Sequence, residues 1–376
     1  MRKTVLLILV FGLMPAVSAG QKDSVRKGAA AKSSKYYDAA VGCIRTLMRD
    51  GTDRYGKEHS PMFSSILDLK THSMPAEAPS LLPLQRKGDR AFPGGNLHHD
   101  IFTLLAMYHL MKITGDECYA TAADAYLDFF LRCCAAVGNG LFPCGEHAFW
   151  DFNKETLGGY ANQENLALVP REFWEHLWRI DPQATERHIR GLGPKCLDPI
   201  IEKFPVDKKN AVIKVFVPYN EEFQKGRTYG FWDKIYEPSG GYAFVGAEKL
   251  ALMCLCAYRF IGNKDHLRYA VDVWDTYQTI DRPTDKAVTP GKYGGLVALS
   301  LDLYDITGEK KYLHYARKIA DLAVDELYEN GLFRAATGKD YYEAANGVGP
   351  LLIELIRLHL ITSGSDYSLP RYYAET

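Results

Sequence analysis

The sequence predicts an all-α fold in which helix pairs close into an (α/α)6 or (α/α)7 toroid. Three stretches share one order, an apolar helix, a short turn and a more charged helix, with the turns at 113–119 (ITGDECY), 261–267 (IGNKDHL) and 306–312 (ITGEKKY). Self-similarity of this kind is typical of repeated helix pairs. The apolar first helix suits an inner position, and the second suits an outer one. Irregular repeats and long connections favour a closed ring over an open solenoid.

The N-terminus of the chain has the pattern of a secretory signal peptide at 1–19. A basic pair beginning at Arg2 precedes an apolar run, and small residues lead up to a cleavage position after Ala19. Residues 20–35 are small, polar and basic and indicate a flexible lead-in, which leaves 36–376 as a single catalytic toroid. We expect a periplasmic or secreted protein, since no second apolar run is long enough to cross a membrane.

The composition of the chain narrows its possible partners. The 376 residues carry a formal net charge of −1, so no overall positive field attracts nucleic acid or an anionic membrane. An acidic polymer would have to bind a local basic patch. The 24 tyrosines suit a sugar-binding groove, although composition alone favours a Tyr-rich helical core. The eight cysteines show no zinc-site spacing. We expect a monomer that binds an acidic polysaccharide.

The segments that lead into the inner helices carry most of the candidate chemistry. In a toroid these segments gather at one end of the ring and shape a cleft. Six of them combine glycines with polar groups: 53–61 (DRYGKEHSP), 94–100 (GGNLHHD), 157–165 (LGGYANQEN), 240–248 (GGYAFVGAE), 289–295 (TPGKYGG) and 341–349 (YYEAANGVG). Aligning the turn at 113–119 with the turn at 306–312 makes Asp100 equivalent to Tyr293. Aligning it with the turn at 261–267 makes Asp100 equivalent to Glu248. We expect the glycines before Asn96 to let a ligand approach the backbone.

The candidate site residues come from these six segments and from the polar stretch near residue 227. The candidate catalytic residues are Asn96, His98, His99 and Tyr293. The candidate substrate-binding residues are Arg54, Tyr55, His59, Asp100, Asn162, Glu164, Arg227, Tyr242, Glu248, Lys292 and Tyr342. These residues also have simpler structural explanations. A histidine pair can begin a helix without a catalytic role, acids can complement a helix dipole, and aromatic rings can pack in the core. Tyr293, between a lysine and a glycine at a helix start, is harder to explain by packing.

Two reaction classes use side chains of these types. In β-elimination on a uronic-acid polymer, Asn, Arg or His neutralises the carboxylate, a base removes the proton at C5, and a Tyr hydroxyl protonates the leaving oxygen. Glycoside hydrolysis instead needs an acid and a base or nucleophile, which Asp100, Glu164 and Glu248 could supply. The many Asn, His and Tyr side chains favour elimination. No cofactor motif is present, and a Ca²⁺ that bridges the substrate carboxylate stays open.

The motifs DRYGKEHSP, AFPGGNLHHD, GGYAFVGAEK and KYGG resemble those of (α/α)-toroid polysaccharide lyases, most closely polysaccharide lyase family 38, whose members act on glucuronan and alginate. The resemblance covers most of the mature chain. It implies an Asn that neutralises the carboxylate, a neighbouring His and a Tyr acid. Asn96 with His98 or His99 looks like the first two, and Tyr293 looks like the third.

The chain departs from the lyase pattern because Leu97 separates the amide from the histidines, which are adjacent to it in those lyases. This leaves open which histidine acts and whether Asn96 or Asn162 neutralises the carboxylate. The resemblance also implies an arginine, and three compete for that role: Arg54, Arg227 and Arg334. A sugar 2-epimerase with two histidines and a non-catalytic glycan binder are further interpretations. The secretory signal argues against the first, and the histidine–tyrosine chemistry argues against the second.

Overall fold

A computed structural model describes residues 33–83, 85–135, 142–143, 145, 147–159, 170–191, 247–279 and 287–372. The predicted signal peptide and most of the predicted lead-in lie outside these ranges. So do most of two entrance segments, at 160–165 and 240–246. Both domain boundaries drawn from the sequence therefore stay predictions.

Helices dominate the part of the chain that the structure describes. They are α1 (Lys35–Asp50), α2 (Leu97–Thr114), α3 (Cys118–Phe129), α4 (Arg171–Ile180), α5 (Pro182–Gly191), α6 (Ala247–Ile261), α7 (Lys264–Thr279), α8 (Pro290–Thr307), α9 (Lys310–Leu327) and α10 (Val348–Ser363). A π-helical turn, Phe130–Cys134, continues α3.

Short strands connect the helices near their ends. They are β1 (Ile66–Asp68), β2 (Gly94–Gly95), β3 (Ala148–Asp151), β4 (Thr156–Gly159), β5 (Tyr328–Glu329), β6 (Leu332–Phe333) and β7 (Tyr341–Glu343). All of the pairs are antiparallel: β1 with β7, β5 with β6, and β2–β3–β4 as a three-stranded sheet. The sheet formed by β2, β3 and β4 leads directly into α2 and positions its first turn.

The helices form an inner arc and an outer layer, which confirms the predicted mostly-α toroid. In the inner arc α2 packs on α10, α10 on α8, and α8 on α6. The outer partners are α3 on α2, α7 on α6, α9 on α8, and α1 on α10. Burial follows this order, since every residue of α8 from Pro290 to Leu303 is buried whereas α9 buries one face. The first described helix, α1, therefore packs on the last inner helix, α10.

The repeated turns end three inner helices in the same way. Gly115, Gly262 and Gly308 have φ values of 74°, 66° and 72°. Each donates its N–H at 2.8 Å to a carbonyl four residues earlier. A left-handed residue after the last helical turn favours glycine because it has no Cβ to clash. The sequence repeat therefore corresponds to a structural repeat.

Glycines also let the first turns of the inner helices touch one another. A Cβ added to Gly347 would lie 2.5 Å from the Cα of Gly291, which joins the starts of α10 and α8. One added to Gly349 would lie 3.0 Å from the backbone N of Thr103 on α2, and one on Gly295 would lie 2.8 Å from Cγ of Glu248 on α6. The described inner helices therefore begin at the same end of the ring, as predicted for the entrance segments.

This close contact predicts an unequal pair of glycine substitutions. Gly347→Ala should destabilise the protein by about 2–4 kcal/mol, because it adds a backbone overlap to the strain of a positive φ. Gly308→Ala is the matched control: its φ is 72° and no atom lies within 4 Å of the added Cβ. It should cost only about 1 kcal/mol. Equal losses in urea unfolding midpoints would contradict the proposed packing of α10 on α8.

Candidate active site

Asn96 forms the N-cap of α2 and fixes the loop that faces it. Its Oδ1 accepts the backbone N–H of His98 at 2.9 Å, and its Nδ2 donates to the carbonyl of Gly145 at 2.9 Å. Asparagine is among the preferred N-cap residues for this reason. The side chain is 1% exposed. The expectation that Asn96 projects into the cleft to neutralise a carboxylate is therefore wrong, since its carboxamide is turned into the fold.

The glycines of AFPGGNLHHD serve strand packing. Gly94 and Gly95 pair with Asp151 and Trp150 of β3. A Cβ on Gly94 would lie 1.9 Å from the carbonyl oxygen of Trp150, and one on Gly95 would lie 2.5 Å from that of Phe63. The expectation that these glycines make room for a ligand is wrong, because protein backbone already occupies the space.

Three histidines gather at the mouth of α2. His98 and His99 are partly buried in its first turn, with ring centroids 5.8 Å apart. Burial lowers the pKa of His99 to about 3, and the nearby His98 and His147 lower it further. His99 is therefore a neutral imidazole across the physiological range. Nδ1 of His147 lies 3.1 Å from a carboxylate oxygen of Asp89. The predicted histidine pair is thus part of a larger group.

Arg90 and Glu343 form a buried ion pair that sequence reasoning missed. Nε and Nη2 of Arg90 donate to the two oxygens of Glu343 at 2.6 and 3.1 Å. Gln85 and Asn346 donate to the same carboxylate at 2.9 and 3.1 Å. The pair ties the entrance of α2 to that of α10. The sequence offered one signal for this pair, the position of its members beside predicted entrance residues: Arg90 directly precedes AFPGG, and Glu343 follows Tyr342.

The three residues that the repeat alignment set level with one another each join an inner helix to its outer partner. Tyr126 on α3 donates to Oδ2 of Asp100 at 2.7 Å, and Tyr277 on α7 donates to Oε2 of Glu248 at 2.9 Å. In the third repeat the roles are exchanged. There Tyr293 on α8 donates to Oε2 of Glu326 on α9 at 2.7 Å. The alignment was correct, and it identified a repeated structural bond.

This bond corrects the interpretation of Tyr293. The side chain is fully buried and its hydroxyl points toward the outer helix. Packing therefore explains it, contrary to the expectation from its neighbours in sequence. The tyrosine–carboxylate bond joins α8 to α9 at a partly buried position.

Lys292 and Glu248 bind each other. Nζ of Lys292 donates to Oε2 of Glu248 at 2.7 Å and contacts the hydroxyl of Tyr277 at 2.6 Å. Both side chains of the ion pair are fully buried, and burial lowers the pKa of Lys292. Their expected contact with substrate is not seen, because the pair joins α6 to α8. Glu248 is also lost as a carboxylate for hydrolysis.

Asp100 and Tyr342 meet in the interior below the histidines. Both are fully buried, and burial, with the nearby Asp100, raises the pKa of Tyr342. Oδ1 of Asp100 and the Tyr342 hydroxyl have no hydrogen-bond partner among the described residues. Burial raises the pKa of Asp100 to about 8. Direct substrate contact, which we expected of both, is contradicted by this burial, although the entrance segments do converge as predicted.

The raised pKa of Asp100 predicts a pH-dependent gain for Asp100→Asn. Between about pH 4, where an unfolded aspartate titrates, and about pH 8, folding takes up a proton, so wild-type stability falls as pH rises. Asparagine cannot ionise and keeps an acceptor for Tyr126. Thermal unfolding should therefore favour the variant increasingly toward pH 8, by a few kcal/mol at most. Glu354, whose pKa is raised to about 7, is common to both proteins. A constant difference across this range would refute the assignment.

In the loop at 53–61 the predicted substrate-binding tyrosine packs against the protein. Tyr55 stacks on Phe152, which directly follows β3, with ring centroids 6.2 Å apart. Its hydroxyl accepts the N–H of Met74. Arg54 is exposed and lies 3.6 Å from Asp50, and His59 is exposed. Tyr55 is thus a packing residue.

The other predicted residues fall into two groups. Arg334, one of the candidate arginines, is bound to Glu329 and to the carbonyl of Lys339. The remaining candidates lie outside the described residues: Asn162, Glu164, Arg227 and Tyr242.

The described part of the chain was expected to need neither a metal cluster nor a membrane-spanning helix. No group of three or more His, Cys, Asp and Glu side chains there could hold a metal ion. None of the helices that the structure describes is both long and apolar enough to span a membrane.

Comparison with known proteins gives a family match in the region that contains the mouth of α2. Residues 90–193 match the family model described as periplasmic pectate lyase, a range that includes the histidines of the α2 mouth. No curated protein sequence matches the chain. A solved structure described as a polysaccharide lyase is similar with 12% sequence identity and a TM-score of 0.47, over 85% of this chain. This chain covers 52% of that one, about half its length.

The family match supports a polysaccharide lyase in general terms, and the family it matches is described as periplasmic. It does not single out polysaccharide lyase family 38.

Proposed function

We propose that the protein is a periplasmic lyase that cleaves a uronic-acid polysaccharide by β-elimination at the mouth of α2. The observation that carries the proposal is the neutral imidazole of His99, grouped with His98 and His147 in a partly open first helical turn. The family match over 90–193 supports the same class of reaction.

Elimination needs a base beside an acidic C–H bond, and His99 suits that need. A neutral imidazole has a lone pair that can accept the C5 proton of a uronate. An anionic sugar beside His99 would favour the protonated ring and so raise its basicity once substrate is bound. The electrons of the C5–H bond form the C4–C5 double bond. The bond from C4 to the glycosidic oxygen breaks as that double bond forms, and its electron pair leaves on the oxygen.

The leaving oxygen needs a proton, and His98 is the titratable side chain that directly precedes His99 in the first turn of α2. Its ring centroid lies 5.8 Å from that of His99, so one sugar can contact both rings. We assign the acid role to His98, since Tyr293 is bound to Glu326 in the helix interface. The two adjacent histidines thereby divide proton removal and proton donation.

Hydrolysis receives less support from the same region. It requires two carboxyl groups that flank the scissile bond. Asp100 is enclosed with Tyr126, and Glu248 is bound by Lys292. Neither carboxyl faces an open mouth.

The substrate class is a polymer of uronic acid. The description of the matching family favours polygalacturonate, and the sequence motifs favour alginate or glucuronan. All three offer a carboxylate next to the proton at C5, which is the chemistry that His99 would use. Binding of an acidic polymer by a chain of net charge −1 requires a local cationic site at the mouth.

The test incubates the purified protein with polygalacturonate, alginate and glucuronan. Elimination leaves a conjugated double bond at the new non-reducing end, so we expect ultraviolet absorbance to rise together with reducing ends on at least one polymer. Reducing ends without that absorbance would replace elimination by hydrolysis. No cleavage of any of the three would overturn the proposed substrate class.

A further inference from the structure

An acidic polymer bound at the mouth of α2 needs a positive charge that no carboxylate of the protein already holds. The β2–β3–β4 sheet leads into α2, and residues 53–61 and 86–93 contact it. This part of the chain has six lysine and arginine side chains. Five of them lie beside a carboxylate: Arg54 at Asp50, Lys57 at Glu155, Arg86 at Asp89, Arg90 at Glu343 and Lys154 at Asp151.

Lys87 is the sixth cation of this group. Its side chain is exposed, and no carboxylate in the described part of the chain pairs with it. The arginines on either side of it in sequence are held, Arg86 at 2.8 Å from Asp89 and Arg90 at 2.6 Å from Glu343. These five charges leave one net positive charge, which is that of Lys87.

The backbone that carries Lys87 is anchored. Lys87 begins the 3₁₀ turn Lys87–Arg90, in which the N–H of Asp89 donates to the carbonyl of Arg86 at 3.2 Å. At the other end of the turn, Arg90 is 2% exposed and donates to both oxygens of Glu343. Lysine has a flexible stem, so a fixed backbone limits the region that its ammonium can reach.

The turn lies beside the histidines to which we assign the chemistry. A Cβ on Gly88, the residue after Lys87, would lie 3.5 Å from Nδ1 of His147. His147 is in turn close enough to His99 to lower its pKa, as does His98. Lys87 is therefore adjacent in the chain to the residue that borders the histidine group.

We propose that Lys87 binds a carboxylate of the polyuronate next to the sugar under attack, and thereby gives the mouth of α2 a preference for an acidic polymer. The inference rests on the proposed function. A polyuronate carries a carboxylate on every sugar, so a polymer with one sugar at His99 presents further carboxylates along its length. An exposed ammonium attracts them as a point charge, and salt screens that attraction.

Steady-state rates on the polyuronate that the protein cleaves, and on its methyl ester, test this role. Lys87→Met should raise KM on the acidic polymer about 2- to 5-fold at low salt, the value of an exposed ion pair, with no matching loss in kcat. Lys87→Glu should raise KM further because it repels the polymer, and Lys87→Arg should restore the wild-type value. The difference should shrink at high salt and on the uncharged ester.

Lys310→Met is the matched control, because Lys310 is an exposed lysine at the start of α9, past the far end of α8. It should behave as wild type. A Lys87→Met protein with unchanged KM on the acidic polymer would overturn the inference, and so would an equal loss on the ester. Calorimetric binding of short oligomers of the three polymers separates the two proposals. Weaker binding by Lys87→Met than by Lys310→Met would support this site even if the wild type eliminates nothing, and equal binding would refute it.

Discussion

Replacing His99 with alanine is expected to lower kcat on the polyuronate substrate by about 10²- to 10⁴-fold while the protein stays folded. The reason is that His99 supplies the neutral imidazole for proton removal at C5. Burial lowers its pKa to about 3, so it is uncharged when substrate arrives. His99→Gln keeps polarity and similar volume but cannot exchange a proton, and it should be equally inactive. Initial rates of absorbance increase measure the effect.

Two controls separate chemistry from folding in this experiment. His314→Ala removes an exposed imidazole from α9 and should leave kcat unchanged. His98→Ala should also lower kcat, but leaving-group protonation is partly replaced by water, so the loss should be smaller than for His99. Thermal unfolding should be similar in all four variants. Full turnover in His99→Ala would exclude it as the base.

Replacing Arg90 with methionine is expected to give the largest loss of stability, about 3–5 kcal/mol. The substitution leaves the Glu343 carboxylate buried without its bidentate partner, at a position where both side chains are at most 2% exposed. Gln85 and Asn346 still donate to it, but neither carries a charge. Denaturant unfolding monitored by circular dichroism measures the change.

A second substitution tests whether the uncompensated charge is the cause. Glu343→Gln in the Arg90→Met background removes that charge, so it should recover a large part of the lost stability. The exposed pair of Arg171 and Glu175 provides a control, because Arg171→Met should cost less than about 1 kcal/mol. If the double variant is less stable than Arg90→Met alone, the ion-pair explanation fails.

The toroid could be predicted from the sequence because its signals are local. The turns ending at Gly115, Gly262 and Gly308 lie between an apolar helix and an amphipathic one, and both patterns depend on neighbours within a few residues. The same repeats set Asp100, Glu248 and Tyr293 level with one another, and the structure agrees.

The chemical roles of those three residues could not be predicted because their partners are distant in the chain. Asp100, Glu248 and Tyr293 bind residues 26, 29 and 33 positions away, on outer helices whose sequences carry no sign of the contact. A polar group at a helix start has the same appearance in sequence whether it faces a cleft or a neighbouring helix. Burial alone separates the two cases, and it follows from the tertiary packing.

The histidine pair is the part of the predicted site to which we still assign the chemistry, with His98 in the acid role first expected of Tyr293. Asn96 was interpreted as part of the chemistry, whereas it caps α2 and thereby orients His98 and His99. His147 joins them only because β2 and β3 pair in one register. Its position depends on a contact about 50 residues apart along the chain, which no local pattern reveals.

Cleavage in water labelled with heavy oxygen tests elimination at the α2 mouth most directly. Elimination adds no water across the scissile bond, so mass spectrometry should show products that carry a double bond and no label from bond cleavage. A brief incubation and an enzyme-free control of the same oligouronates correct for slow exchange at reducing ends. Hydrolysis would place one labelled oxygen in a saturated product. Such a product would contradict the proposed lyase.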